Sequence, residues 1–165
     1  MRTLPTTLAA ATFTIVLASA PAQAQVPYIV GSWTLNAAAS HLPGPPPRSE
    51  VRSYRLRPDG VLVGLAVTVA PNGNPNFLIF AAKPDGQDHP EFDTGTAAQY
   101  LASGSPPPRT YAEIPTPDDH RVKWVDKAGG RVLSSGEKWV SADGKTLSFT
   151  VDGTDQLTVF DRTGP

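Results

Sequence analysis

The sequence predicts an all-β fold, a single antiparallel up-and-down barrel of about eight to ten strands. Three observations lead there. Turn signals recur along the chain about every 8–12 residues, and the runs between them are strand-length and rich in Val, Leu, Ile and aromatics. With 18 Pro and 14 Gly but no Cys, the chain has many turns and no disulfide to staple them. The apolar runs persist between the turns, which argues for a packed core rather than disorder.

The first 24 residues read as a segment outside the fold. Arg2 precedes the apolar stretch "LAAATFTIVLASA" (residues 8–20), which is short for a bilayer span. "PAQAQ" follows, with Ala22 and Ala24 at the small-residue positions of a signal-peptidase site. Cleavage is expected between Ala24 and Gln25. Residues 25–165 then form one domain, long enough to bury a core unaided. Export implies a periplasmic or secreted protein with no stable membrane span after cleavage. Fourteen Lys and Arg against 15 Asp and Glu are scattered along the chain, so no basic footprint for nucleic acid stands out.

Hairpin registers follow from matching apolar faces. Around "PDG" (58–60) a three-residue loop sets Tyr54 opposite Gly64, an aromatic covering a bare glycine, and Val51, Ser53 and Arg55 opposite Val67, Leu65 and Val63. With "KAGG" (127–130) as a four-residue loop, Trp124 meets Leu133 and Asp126 meets Arg131. With "ADG" (142–144) as the next tip, Trp139 meets Leu147 and Glu137 meets Phe149. "TLSFTV" (146–151) alternates, with Leu147, Phe149 and Val151 inward. Leu157 and Val159 are expected to continue that inner face.

Helix is scarce. "NAAASHL" (36–42) suits one turn capped by Asn36 and stopped by Pro43. "TAAQYLAS" (96–103) suits a short helix or lid-like insertion, capped by Thr96 and stopped by Gly104.

A meander leaves two exposed edges unless its first and last strands meet. Closure gives the early Trp33 a place as a plug at one barrel end. Arg162 would lay its guanidinium on the Trp33 face, a contact worth roughly 0.5–2 kcal/mol. Gly31-Ser32-Trp33 at the start and Asp161-Arg162 at the end, in register with the turn ladder, resemble the lipocalin-like (calycin) barrels. The stretches "GSWTLNAAASHLPGPPPRSEVRSY", "KPDGQDHP", "SADGKTLSFTV" and "VFDR" are similar to small exported bacterial proteins of that type. The resemblance implies a closed barrel with a binding role. It assigns Gly31, Trp33 and Arg162 to barrel closure. Residues 94–108 depart from it as an insertion, and there is no terminal disulfide.

The chemistry is less specific. His41, His89 and His120 lie far apart without the close ligand spacing that zinc requires, so no metal site is expected. Gly-x-Ser-x-Gly and Walker-type loops are absent, and no cofactor is expected. "DGQDHPEFD" (85–93) gathers Asp88, His89, Glu91 and Asp93. An Asp88–His89 pair could serve as a general base at the barrel mouth; the same residues also suit a polar loop between prolines. Glu137 shares the proposed face of Leu133, Trp139 and Phe149. If that face is interior, Glu137 is a buried carboxylate needing a partner such as Arg52, Arg55 or Lys123. If Gly136 makes a bulge, Glu137 turns outward.

Tyr54, Phe77, Tyr111, Trp124, Trp139 and Phe149 are candidate ligand-binding aromatics, with Glu137 as a polar anchor. Gly64 and Ala66 leave room beside them. A barrel of about eight strands can hold one small ligand. The expected function is therefore binding of a small hydrophobic or amphiphilic molecule in the barrel interior. Two alternatives stand beside it: a small-barrel isomerase or lyase using Glu137 or the Asp88–His89 pair as catalytic base, and a dry-barrel module of the cell envelope. The sequence leaves the ligand and the oligomeric state open.

Overall fold

Ten strands close into one antiparallel barrel. The structure is a computed structural model that describes residues 28–165 apart from 106–108 and 119. The expected signal segment and its cleavage site lie outside the described residues. The strands are β1 (Gly31–Leu35), β2 (Ser49–Leu56), β3 (Leu62–Val69), β4 (Pro75–Ala82), β5 (His89–Asp93), β6 (Arg109–Pro115), β7 (Arg121–Ala128), β8 (Arg131–Val140), β9 (Thr146–Thr150) and β10 (Leu157–Gly164). One helix, α1 (Thr94–Ser103), links β5 to β6. Each strand pairs with its sequence neighbour, and β1 also pairs with β10, so no edge is left open.

The first hairpin has the register read from its turn: Tyr54 lies opposite Gly64 and Val51 opposite Val67. The residue that covers the glycine is a different one. A Cβ on Gly64 would stand 2.4 Å from the Phe80 ring, whose strand β4 pairs Gly64 with Phe80 from the other side. Phe80 in turn stacks on Tyr111 with ring centroids 4.1 Å apart.

The later hairpins correct the sequence reading. Gly129 and Gly130, at φ 54° and 76°, make a two-residue tip, so Ala128 pairs with Arg131. Consecutive positive φ values are those of the type I′ turn, which matches strand twist. A bulge between Asp126 and Lys127 then sets Asp126 opposite Ser134 and Trp124 opposite Gly136, not Arg131 and Leu133. At the next tip Ser141 accepts the turn hydrogen bond from Gly144 N, and Val140 pairs with Leu147. Trp139 therefore faces Ser148 and Lys138 faces Phe149. A one-residue slip inverts every side chain of a strand. Gly136, Lys138 and Val140 are the buried set of β8, while Glu137 and Trp139 belong to its outer face. On β10 the buried residues are Thr158 and Phe160 rather than Leu157 and Val159.

One end of the barrel is packed shut. Trp33, Leu62, Leu147 and Phe160 are completely buried there, with Ala82 and Val140 beside them. Burial of each large side chain contributes about 1.5–3 kcal/mol. Trp33 donates its indole N–H to Ile29 O at 2.8 Å. Arg162 holds this end together: its guanidinium carbon lies 4.0 Å from the Trp33 ring centroid. It donates to Gly144 O (2.6 Å), Val30 O (2.8 Å) and Tyr28 O (2.9 Å). Gly31, at φ 138°, sits against it, and a Cβ there would come within 2.5 Å of Arg162 Nη1.

Asn36 caps a turn rather than a helix, accepting from Ala39 N at 3.0 Å. α1 begins two residues before the cap read from sequence. Asp93 Oδ1 accepts from Thr96 N and Thr96 Oγ1 accepts from Asp93 N, both at 2.7 Å. That reciprocal pair is a capping box with Asp93 in the leading place. No described helix is long and apolar enough to cross a membrane.

Candidate functional site

Barrel closure leaves an interior cavity of about 280 Å³ away from the Trp33 end. β2, β3 and β4 send in Arg52, Tyr54, Ala66, Leu78 and Phe80; β5 to β7 send in Glu91, Tyr111, Trp124 and Asp126; β9 and β10 complete the wall with Phe149 and Thr158. Small Ala66 keeps the space open, whereas the room beside Gly64 is taken by Phe80.

The cavity contains charge, and most of it is answered locally. Arg52 donates to Glu50 Oε1 at 2.7 Å and lies over the rings of Phe149 and Phe160, 4.4 and 4.9 Å from their centroids. Deeper in, Lys138 pairs with Glu113 and donates to the Tyr111 hydroxyl at 2.8 Å. The rings of Tyr54, Phe80 and Tyr111 surround its ammonium at 5.1–5.6 Å. Burial and the Glu113 carboxylate push the Tyr111 phenol well above its ordinary pKa, so it stays a neutral hydrogen-bonding group.

The β5–β7 wall is less balanced. Arg109 donates to Asp93 Oδ2 at 2.6 Å. Its Nε lies 3.2 Å from Glu91 Oε2 and its Nη2 3.7 Å from Asp126 Oδ2. The 3.2 Å approach is close enough for ion pairing, yet neither atom has an aligned hydrogen bond. Asp126 Oδ1 and Trp124 Nε1 are also buried without a hydrogen-bond partner. Burial raises the Glu91 pKa to about 8, the Asp126 carboxylate adds to the rise and Arg109 opposes it. Burial likewise raises Asp126, against the pull of Arg109, Arg52 and Lys138. The lining can thus offer aromatic faces, a carboxyl poised near neutral pH and an indole donor.

The structure divides the residues singled out from sequence. Tyr54, Tyr111, Trp124 and Phe149 line the cavity. Phe77, Trp139 and Glu137 do not: Phe77 stands on the outer face opposite Val67. Trp139 lies outside under the Arg121 guanidinium, 4.6 Å away, and the same Arg121 holds Glu137 at 2.5 Å. Arg121, rather than Arg52, Arg55 or Lys123, is the partner of that carboxylate. Asp88 and His89 do not pair with each other. Asp88 binds Lys127 at 2.7 Å and His89 contacts Asp85 at 3.0 Å, and neither lines the cavity. Gly31, Trp33 and Arg162 sit together at the packed end.

Sequence reading passed over Lys138, Glu113, Arg109 and Asp126, and left Glu91 within a loop. One signal was available. In "RTYAEIP" an inward Tyr111 forces Arg109 and Glu113 onto the same face. A buried carboxylate on β6 then requires a buried cation elsewhere. A comparison with protein-family models finds none that matches the chain, and a comparison with curated proteins finds no relative.

Proposed function

We propose that this protein is an exported lipocalin-like barrel that binds a small hydrophobic or amphiphilic molecule in its interior, in the periplasm or outside the cell. The observation that carries the reading is the 280 Å³ cavity lined by Tyr54, Phe80, Trp124 and Phe149 together with Glu91 and Asp126. Ligand pockets combine a mostly apolar wall with a few placed polar groups, at volumes of about 300–1,000 Å³, so a guest here is small. The space exceeds the ~30 Å³ share of one water molecule, which weighs against a dry structural barrel.

Titration with fatty acids, aromatic alcohols and aromatic amines, followed by intrinsic tryptophan fluorescence, tests the reading. A ligand that enters the cavity changes the emission of the wild type and of Trp139→Phe, and the change is lost in Trp124→Phe. A flat response across all three classes, with calorimetry equally silent, would end it.

A second reading has one observation in its favour. Glu91, with a pKa near 8 inside a cavity, is suited to proton transfer at neutral pH. An isomerase or lyase of this barrel would use Glu91, and turnover would vanish in Glu91→Gln. Undiminished turnover in that variant removes Glu91 as its base.

A further inference from the structure

We propose that the cavity takes a small organic amine, its ammonium group lying against Glu91 and Asp126 and its apolar body resting among Trp124, Tyr54 and Phe149. This assignment rests on the ligand-binding reading above and gives that reading a chemical class.

The charges of the barrel interior lead to it. Arg52 is answered by Glu50, and Lys138 by Glu113. Arg109 makes the ion pairs with the three carboxyls of Glu91, Asp93 and Asp126, and its shortest bond, 2.6 Å, goes to Asp93. Asp93 is further satisfied by the Thr96 amide in the helix cap. Two acidic groups thus remain in excess, and both line the cavity.

Three polar atoms of the lining point to the same chemistry. Glu91 Oε2, Asp126 Oδ1 and Trp124 Nε1 are buried without an aligned hydrogen bond, the first with Arg109 Nε 3.2 Å away, and all three residues line this one cavity. Glu91 and Trp124 are at least nine-tenths buried, at 1% and 9% exposure. Leaving such groups unpaired is costly, so a guest that pairs them gains from each. Two acceptors that are negative or become so call for a cationic donor. A primary ammonium brings three N–H groups and one positive charge. The indole N–H calls for an acceptor, which an ether or hydroxyl oxygen of the same guest supplies. An anionic guest would set a further negative charge beside Asp126 and oppose the ionisation of Glu91. A neutral one would leave the carboxyls uncompensated.

A matched trio of probes separates the possibilities: phenoxyethylamine, phenoxyethanol and phenoxyacetate share one ring and one ether oxygen and differ in charge. Calorimetric titration of the folded barrel at pH 7 is expected to show the amine binding about tenfold or more tighter than the alcohol, the difference that one charge-assisted hydrogen bond supplies. The acid is expected to bind weakest. In Glu91→Gln and in Asp126→Asn the advantage of the amine over the alcohol falls below about threefold, with far-ultraviolet circular dichroism reporting an intact barrel; an advantage that stays about tenfold in both variants overturns the assignment. If the alcohol or the acid matches the amine in the wild type, the amine assignment is overturned and the binding reading survives. If none of the three binds, the amine assignment is overturned, and the binding reading falls with it only where the fatty acids, aromatic alcohols and aromatic amines above are silent as well.

Discussion

Lys138 and Glu113 form an ion pair in the barrel interior against the cavity-lining Tyr111, with only 1% and 2% of their side chains exposed. The Tyr111 hydroxyl bonds to both, donating to Glu113 and accepting from Lys138. The three groups close into one buried network, in which each supports the other two. Removing one partner leaves a bare buried charge, at a cost of about 3–5 kcal/mol. Lys138→Met and Glu113→Leu should each show that loss in urea unfolding. The double variant, which leaves no charge behind, should recover most of it. Equal stability of a single variant and the wild type would contradict the burial described.

The packed end makes a second prediction. Arg162→Ala removes three hydrogen bonds to carbonyl oxygens and the contact on Trp33. A loss of about 2–3 kcal/mol is expected. Arg162→Lys, which cannot fork to three carbonyls, should recover only part of it. Gly31→Ala should behave like Arg162→Ala, because its methyl would occupy the place of Nη1 and its φ of 138° is strained for any side chain. Thermal unfolding of the three variants checks this.

Stability should depend on pH through Glu91. Its carboxyl binds a proton more tightly in the folded protein, at about 8, than at its ordinary 4.5. The contribution is complete below about 4.5 and is lost as pH rises toward 8, by at most about 1.4 kcal/mol per pH unit. Asp126 is raised also and acts in the same sense. The wild type should therefore be more stable at pH 5 than at pH 8, and Glu91→Gln should flatten the difference. A profile that rises over this interval in the wild type would refute the placement of Glu91.

Outside the barrel the opposite holds. Arg121 and Glu137 are both about one-third exposed, and exposed pairs contribute about 0–1 kcal/mol. Glu137→Gln should leave unfolding within that margin and leave ligand titrations unchanged. A large loss of binding in this variant would mean that the cavity is not the site.

Much of the architecture could be read from sequence because it rests on local rules. The Pro58-Asp59-Gly60 tip sets one register, and the alternation of Leu147 with Phe149 names an inner face. The site was harder to read because a bulge at Asp126 and a two-glycine tip shift β8 against β7, and the turn closed by Ser141 and Gly144 shifts it against β9. Glu137 and Trp139 then exchange places with Lys138, and nothing in the local pattern of "LSSGEKWV" announces a lysine as the inward residue. The β5–β7 wall was obscured for another reason. Glu91 stands in a run of prolines and charges that resembles a loop, and only its pairing with Phe80 turns it inward.

The contact of β1 with β10 also bears on how the chain reaches its native state. The ribbon that carries Trp33 cannot find its second neighbour until the segment around Arg162 has been made and is free to move. Such distant pairing is slow compared with hairpin formation. Early hairpins such as β2–β3 can assemble first, while the indole and the carbonyls of residues 28 and 30 await their cation. Ring closure, which brings Arg162 to Val30 across 132 residues, thus closes the longest loop in the barrel and carries the largest entropic cost of any of its pairings.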